Sequence, residues 1–243
     1  MSVEVRAADG IAEVAIDFPP VNALPARGWQ ELAGAVTAAG ADPATRVVIL
    51  AAQGRGFCAG VDIKEMQRTA GHEALLAASQ GCFAAFTAVY DCPVPVIAAV
   101  HGFCLGGGVG LAGNADIVIA AEDATFGLPE VDRGALGAAT HLARLVPQPL
   151  MRAMVYTCRT VTARQLLAFG TVLEVVPRKE LREAAQRLAE EIAAARSCQP
   201  CAGSALTGGK SMTTSAIPSA ARTSTLIARR PHRRRPAPHL RVP

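Results

Sequence analysis

The chain has 243 residues, of which 51% are hydrophobic and only 4% aromatic, so it is long enough for one domain with a largely aliphatic core. The net charge is +4, but residues 1–191 hold 15 cationic and 20 acidic residues, a net charge of −5, so the basic character belongs to residues 192–243. The N-terminus is charged, so we expect no secretory signal. The uncharged stretch at 92–114 is interrupted by prolines and glycines, so we expect no membrane span. The seven cysteines are irregularly spaced, so we expect reduced thiols in the cytoplasm.

Strand and helix patterns alternate along residues 1–195, which we predict to form one domain. The turn residues Asp9 and Gly10 favour a hairpin between the first two strands. In chain order the predicted elements are strands at 3–6 and 11–16, a helix at 27–39, a strand at 46–52, a helix at 73–90, strands at 96–100 and 116–120, and helices near 139–145, 162–169 and 179–195. This alternation predicts an α/β fold.

The most informative segment, residues 101–111, follows an apolar run at 94–100 and contains the three consecutive glycines Gly106 to Gly108. A helix that begins at these glycines leaves backbone N–H groups without partners, and the missing side chains let a ligand approach them closely. The segment therefore predicts a site for an anion, or for an oxygen that becomes negative during a reaction.

A second glycine pattern is similar to a dinucleotide-binding motif but lacks its context. Gly108, Gly110 and Gly113 have the spacing G-x-G-x-x-G. In dinucleotide-binding proteins an acidic residue at the end of a strand comes about 20 residues after this motif. The nearest candidate here is Glu130, which follows a Gly-Leu-Pro sequence rather than an apolar strand. We therefore do not predict a dinucleotide site.

Five segments taken together resemble the enoyl-CoA hydratase/isomerase family, which is the crotonase superfamily. They follow the family's order over residues 1–193 and read PPVNAL (19–24), GRGFCAGVDIKEM (54–66), HGFCLGGG (101–108), DIVIA (116–120) and TFGLPE (125–130). The resemblance implies a crotonase-like ββα spiral fold and a homotrimer or hexamer. It also implies an acyl-CoA substrate. The CoA is then part of the substrate, and we expect no separate cofactor and no metal.

The resemblance further implies which residues form the site. The N–H groups of Val61 and Gly107 would form the oxyanion hole that holds the thioester oxygen as it becomes an enolate. The residues that would bind the CoA substrate are Val21, Ala23, Ala59, Gly60, Asp62, Ile63, Lys64 and Gly106.

The acid–base residues differ from those of the hydratases in this family. Hydratases use two glutamates, of which the second matches Glu130, while the first falls on Gly110 and leaves that position empty. Apolar neighbours predict a raised pKa for Glu130, which suits general acid–base catalysis. His141 is a candidate second catalytic residue, and Arg133 is a candidate partner for a substrate carboxylate.

One branch of the family fits a single glutamate with a glycine at the other position. Its members hydrolyse a carbon–carbon bond of a cyclic β-keto acyl-CoA in steroid catabolism, a retro-Claisen ring opening, and we predict this activity. The alternatives are an enoyl-CoA hydratase and an enoyl-CoA isomerase of fatty-acid β-oxidation, since isomerisation also needs only one carboxylate.

Residues 196–243 differ from the rest of the chain and do not match the family. They contain nine cationic residues, no acidic residue and six prolines, a composition that does not build a core. We predict a disordered or out-of-frame tail. Because the family's C-terminal helices are missing, a non-catalytic remnant is a further alternative. The basic tail is the only feature that would favour nucleic-acid binding. For the protein as a whole we predict neither a nucleic-acid nor a membrane partner.

Overall fold

Short strands form the framework of the computed structural model, which describes residues 2–68, 72–130, 132 and 137–195. In chain order they are β1 (Ser2–Ala8), β2 (Ile11–Asp17), β3 (Ala23–Leu24), β4 (Val47–Ala52), β5 (Gly60–Val61), β6 (Val96–Val100), β7 (Phe103–Leu105), β8 (Ile117–Ala121), β9 (Thr125–Gly127), β10 (Val161–Thr162) and β11 (Glu174–Val176). The predicted tail lies outside the described residues.

The helices connect these strands. They are α1 (Ala26–Ala41), α2 (Ile63–Arg68), α3 (Glu73–Tyr90), α4 (Gly107–Ala112), α5 (Ala139–Leu142), α6 (Gln148–Thr157), α7 (Ala163–Phe169) and α8 (Leu181–Ala194), with a short 3₁₀ turn, Arg178–Glu180, before α8. No helix in the described part of the chain is long and apolar enough to cross a membrane.

The main sheet has the order β1-β2-β4-β6-β8-β11 in the described part of the chain. The strands β1 and β2 are antiparallel and form the predicted hairpin, with Asp9 and Gly10 in left-handed conformations at the turn. All the other neighbours are parallel. Parallel strands that are joined through helices are typical of the predicted α/β class.

The main sheet is buried on both faces. In β4, Val48 and Leu50 belong to a core that also contains residues of α1 and α3. Val47 and Ile49 point to the opposite face, where α8 packs. Side chains alternate along a strand, so a continuous apolar run such as residues 47–50 supplies both cores at once.

The predicted elements are confirmed, but one helix is shorter than predicted and several elements were not predicted. The unpredicted elements are the helices α2 and α6, the strand β11 of the main sheet and the short strands β3, β5, β7, β9 and β10. The helix near 139–145 ends at Leu142. Beyond it the N–H groups of Arg144 and Leu145 donate to carbonyls three residues back, which tightens the chain into turns. The helix α6 was not predicted: Met154 is its only buried residue, so the apolar periodicity that would reveal it is weak.

Two small sheets position the loops of the site. The strands β3 and β5 pair in parallel, and β10, β9 and β7 form a second group. An isolated bridge joins Cys58, just before β5, to Cys104 in β7. The segments before Val61 and before Gly107, far apart in the sequence, are therefore held side by side.

Candidate active site

The loop that ends in β5 lies directly against the start of α4. The N–H of Leu105 donates to the carbonyl of Cys58 at 2.8 Å, which fixes the two segments together. A Cβ atom on Gly60 would lie 3.1 Å from the nitrogen of Gly107 and 3.3 Å from the carbonyl oxygen of Leu105. The structure thus brings Val61 and Gly107, the two predicted oxyanion-hole residues, into neighbouring positions that only a glycine at position 60 permits.

Gly107 is the first residue of α4, as predicted from the glycine triplet. Gly106 precedes it with a φ of +55°, and its own N–H donates to the carbonyl of Gly127 at 3.1 Å. Because the first N–H groups of a helix have no partner within the helix, the N–H of Gly107 is available to a ligand oxygen. The catalytic role of this N–H and of that of Val61 stays a prediction.

Glu130 follows β9 and reaches the same point. Its Oε1 atom lies 2.5 Å from the place where a Cβ atom on Gly106 would be, so the carboxyl occupies space that a side chain would fill. Its Oε2 atom is buried and has no hydrogen-bond partner among the described residues. Burial raises the pKa of Glu130, and a hydrogen bond from its own backbone N–H opposes part of this rise.

Glu130 is one of the residues that line a cavity of about 330 Å³. Its walls are mostly apolar and include Leu128, Ala138, Ala139 and Val155. A largely apolar cavity with one carboxyl group is suited to holding a hydrophobic acyl group next to an acid–base residue.

An array of three aromatic side chains lies along α4. Gly107 and Gly110, three residues apart, share one face of the helix, which ends just before Gly113. The ring of Trp29 contacts this face at Gly107 and the ring of Phe86 at Gly110, and the backbone of His141 contacts Gly113. We call Trp29, Phe86 and His141 the aromatic array.

The position of the missing glutamate is therefore filled rather than empty. The ring of Phe86 occupies the place of a side chain on Gly110. Its centroid is 5.8 Å from that of Trp29 and 4.9 Å from that of His141, both in edge-to-face geometry. The sequence predicted that Gly110 supplies no carboxylate at this position, and the structure adds that an aromatic side chain from a distant helix packs there.

The protonation of His141 is set by a residue that the sequence did not suggest. The buried Asn114 accepts a hydrogen bond from Arg144 at 2.7 Å through its Oδ1 atom. Its amide nitrogen donates to the carbonyl of Gly110 at 2.6 Å and meets Nδ1 of His141 at 2.9 Å. Since these contacts fix the amide orientation, Nδ1 of His141 accepts, and the proton of the neutral ring lies on Nε2.

The charge state of His141 follows from the same surroundings. Burial lowers the pKa of the His141 imidazole, and the positive charge of Arg144 lowers it further. A neutral imidazole with its proton on Nε2 can donate a hydrogen bond from that atom, whereas Nδ1 is already engaged by Asn114. His141 thus supplies a donor rather than a free base, and its part in catalysis stays a prediction.

The residues predicted to bind the CoA substrate lie together on two adjacent segments. Val21 precedes β3 and Ala23 is its first residue. The rest of the set, apart from Gly106, continues from Ala59 through β5 to the start of α2. Backbone N–H groups join the two: Ala59 donates to Asn22 at 3.1 Å and Asp62 to Leu24 at 2.9 Å.

Three members of this set have different surroundings. The carboxylate of Asp62 accepts from the N–H of Lys64 at 2.9 Å, so it caps the first turn of α2. The side chains of Ile63 and Lys64 are exposed, which leaves them accessible to a ligand. Arg133 lies outside the described residues.

Asn22 is a second residue that the sequence reasoning missed. It is buried, and its Oδ1 atom accepts from the N–H of Phe18 at 2.7 Å. Its amide nitrogen donates to the carbonyls of Gln53 and Gly56, each at 2.8 Å. One side chain therefore anchors both the loop before β3 and the loop before β5, and the only local signal for this role was its place within the PPVNAL segment.

No group of three or more histidine, cysteine or acidic side chains that could hold a metal ion occurs in the described part of the chain. Cys58 and Cys104 are fully buried, which raises the pKa of the Cys58 thiol to about 12 and that of Cys104 well above its ordinary value. These thiols stay protonated and belong to the core rather than to the chemistry of the site.

Comparison with known proteins gives three consistent findings. A family model described as enoyl-CoA hydratase/isomerase matches residues 6–215. A protein from Rhodococcus jostii, a (7aS)-7a-methyl-1,5-dioxo-2,3,5,6,7,7a-hexahydro-1H-indene-carboxyl-CoA hydrolase, is 66% identical over 186 residues, which cover 76% of this chain and 72% of the relative. A hydrolase of the same name from Mycobacterium tuberculosis is 66% identical over 185 residues, covering 76% of this chain and 75% of the relative.

A solved structure shares the fold. The crystal structure of an enoyl-CoA hydratase from Bacillus anthracis superposes with a TM-score of 0.78 at 31% identity, covering 86% of this chain and 83% of that one. The crotonase-like fold class predicted from the five sequence segments is thereby confirmed.

Proposed function

The chain belongs to the enoyl-CoA hydratase/isomerase family and is an enzyme of CoA thioesters, and we propose that it opens a ring of a cyclic β-keto acyl-CoA by hydrolysing a carbon–carbon bond. The substrate that this proposal favours is the bicyclic dione carboxyl-CoA named in the two hydrolase relatives, which are 66% identical to this chain. A bicyclic acyl group is hydrophobic, and the cavity beside Glu130 has mostly apolar walls.

The observation that carries the proposal is the replacement of one carboxylate by an aromatic ring. In the described part of the site Glu130 is the carboxylate that reaches the cavity, and the Phe86 ring occupies the place where a side chain on Gly110 would lie. In the hydration of a double bond, two carboxylates of the enzyme share the proton transfers. Such a pair of carboxylates is absent from the described part of the site. A reaction that uses one carboxylate first as base and then as acid fits the site.

The reaction follows from this geometry in balanced steps. Glu130 accepts a proton from water, and the resulting hydroxide oxygen bonds to the carbon of the ring ketone, whose oxygen becomes an alkoxide. The alkoxide re-forms a carbonyl as the bond to the thioester α-carbon breaks, and the electron pair passes to the thioester as an enolate. The enolate oxygen accepts hydrogen bonds from the N–H groups of Val61 and Gly107. The protonated Glu130 then returns its proton to the α-carbon, which leaves a ring-opened thioester with a new carboxylic acid. This acid releases its proton to the solvent and becomes a carboxylate.

Mass spectrometry tests this proposal directly. With the bicyclic dione carboxyl-CoA as substrate in ¹⁸O-labelled water, we expect a product heavier by one labelled water, with the label in the new carboxylate. An isomerase, which the single carboxylate would also allow, gives a product of unchanged mass without label. Release of an acid that a pH indicator detects separates ring opening from simple hydration of a double bond. A product without the labelled carboxylate would contradict the proposal.

The pH dependence of the reaction tests the role of Glu130. Because Glu130 must be ionised to accept a proton from water, kcat/KM should rise with pH through the pKa of the free enzyme's carboxyl, at a value above the ordinary 4.5. A His141→Gln variant should keep this acidic limb of the pH–rate profile, since Nδ1 of His141 is already engaged by Asn114 and is not free to accept the proton of water. Loss of the limb in that variant, or a midpoint at or below the ordinary value for glutamate, would assign the limb to another group.

We further propose that the enzyme acts as a cytoplasmic homotrimer or hexamer. The support is an apolar stripe on α3: Leu76 and Phe83, seven residues apart on one face, are 58% and 72% exposed. Light scattering of the full chain should give the mass of an oligomer, and Phe83→Asp should shift it to a smaller species. Gln30→Asp, at an exposed position of α1 rather than on this stripe, is the control that should leave it unchanged. A monomeric wild-type chain would contradict the proposal.

A further inference from the structure

Two buried side-chain atoms have no hydrogen-bond partner among the described residues: Nε1 of Trp29 and Oε2 of Glu130. Both side chains contact the same pair of glycines. Glu130 lies against Gly106, and the Cζ2 and Cη2 atoms of Trp29 lie 2.7 Å from the place of a Cβ atom on Gly107. One ring carbon separates Cζ2 from Nε1, so the unpaired donor lies close to the oxyanion-hole residue. An unpaired donor and an unpaired acceptor therefore flank one short piece of backbone.

The Trp29 ring is held in one position. A Cβ atom on Gly81 of α3 would lie 2.7 Å from the Cβ atom of Trp29, so only a glycine lets the two helices approach there. The edge-to-face contact with Phe86 fixes the other side of the ring. The ring is fully buried, whereas its neighbours Phe86 and His141 are partly exposed, which places the array at the edge of the core.

Packing alone does not account for an indole at this position. A buried N–H without an acceptor costs about 1–3 kcal/mol, which phenylalanine or leucine in the same place would not incur. A donor that is held rigidly in a water-excluded place is, in contrast, what stabilises an oxygen that gains charge during a reaction.

The proposed reaction has two oxygens that become negative. The thioester oxygen carries charge in the enolate, and the ring-ketone oxygen carries charge in the tetrahedral alkoxide that forms when water adds. The N–H groups of Val61 and Gly107 are assigned to the first oxygen. The second oxygen also needs a donor, and hydration or isomerisation of an enoyl thioester does not create this second charge.

We propose that Trp29 is a catalytic residue whose Nε1–H donates a hydrogen bond to the oxygen of the ring ketone and to the alkoxide that this oxygen becomes. This inference rests on the proposed ring-opening function and assigns to the site a second oxyanion donor beside the backbone pair. Trp29 packs against Gly107 and Glu130 against Gly106, so the donor and the base that activates water contact adjacent residues of one segment.

Fluorescence provides the first test, because Trp29 is the only tryptophan of the chain. The probe is an unreactive analogue of the bicyclic dione carboxyl-CoA in which the β-ketone is reduced to an alcohol, whose oxygen can still accept a hydrogen bond. We expect its binding to shift or quench the Trp29 emission, whereas CoA alone should bind without this change. An emission that the bound analogue leaves unaltered, with binding verified by calorimetry, would overturn the proposal.

Kinetics of the full-length Trp29→Phe variant provide the second test, since this change removes the N–H and keeps an aromatic ring. Loss of one oxyanion donor should lower kcat for ring opening by roughly 10²-fold with little change in KM. The control reaction is exchange of the α-proton with deuterium oxide in an acyl-CoA that lacks the ring ketone. That reaction forms only the enolate, so its rate should stay close to that of the wild type.

The outcomes separate the two proposals. If the wild type does not open the ring, the proposed function fails. If the wild type opens the ring and Trp29→Phe opens it equally fast, or loses ring opening and proton exchange in equal measure, or changes only in KM, the assignment of Trp29 fails. Should Trp29→Phe not fold, biosynthetic replacement of the single tryptophan by β-(3-benzothienyl)alanine exchanges only the N–H for sulfur, and the same criteria apply.

Discussion

Replacing Glu130 with glutamine should lower kcat for ring opening roughly 10²- to 10⁴-fold, the usual contribution of general acid–base catalysis. The amide keeps the size of the side chain but neither accepts the proton of the attacking water nor returns it to the α-carbon. KM should change little, since the segments predicted to hold CoA lie on β3, β5 and the start of α2, and approach one another through backbone contacts. Steady-state kinetics with the bicyclic dione carboxyl-CoA give both constants.

A matched control is available close by in the chain. Glu122 has a side chain that is 54% exposed and that, among the described residues, forms a long ion pair of 3.9 Å with Arg164. Glu122→Gln removes the same charge without touching the site and should leave kcat unchanged. If Glu130→Gln turned over as fast as this control, Glu130 would not be the base, and His141, the other titratable side chain of the predicted catalytic set, would be the next residue to replace.

The removal of the charge from Glu130 also predicts an effect on stability. The pKa of Glu130 is raised in the folded protein, so the ionised carboxylate is less favourable there than in the unfolded chain. By the same linkage, the contribution of Glu130 to the free energy of unfolding becomes more unfavourable as the pH rises from the pKa of this carboxyl in the unfolded chain through its raised pKa in the folded protein. At neutral pH the Glu130→Gln variant should accordingly be at least as stable to urea as the wild type, which separates a catalytic loss from unfolding.

The part of the site that local sequence could reveal is the part built from turns and glycines. Gly106 and Gly107 follow an apolar strand, and the structure begins α4 at Gly107 as the triplet predicts. Glu130 follows two apolar residues and a glycine, and burial indeed raises its pKa. These features depend on residues that are adjacent in the chain, so their pattern survives without knowledge of the fold.

The aromatic array could not be predicted in this way. Trp29 and Phe86 each occupy an apolar position of an amphipathic helix, and such positions are typical of any core. Their meaning arises only when α1 and α3 pack beside α4 and place the two rings on its glycine face. Asn114 likewise has no motif: its role depends on Arg144 and His141, which reach it across the fold.

The filled position at Gly110 leads to a prediction about changing the reaction. Gly110→Glu restores the residue that the hydratases of the family use, yet it should not create a hydratase. The Phe86 ring occupies the place of the new side chain, so the substitution forces two groups into one volume, and overpacking of this kind costs about 1–3 kcal/mol. Urea denaturation should show this loss, and enoyl-CoA hydration should stay undetectable.

The control is a glycine in open space. A Cβ atom on Gly34, exposed on α1, would meet no atom within 4 Å. Gly34→Glu therefore introduces the same side chain into a helix without a clash, and it should leave stability unchanged or raise it by about 0.5–1 kcal/mol, since glycine is a poor helix former.

Removing the ring should then release the constraint. In the double variant Gly110→Glu with Phe86→Ala, the new carboxylate has room beside the cavity, and Glu130 supplies the second one. We expect hydration of a 2-enoyl-CoA to become measurable in this variant while ring opening declines, because water would be shared between two bases. Hydratase activity in the single Gly110→Glu variant at wild-type stability would show that Phe86 moves aside freely, and that the aromatic ring does not determine which reaction this site performs.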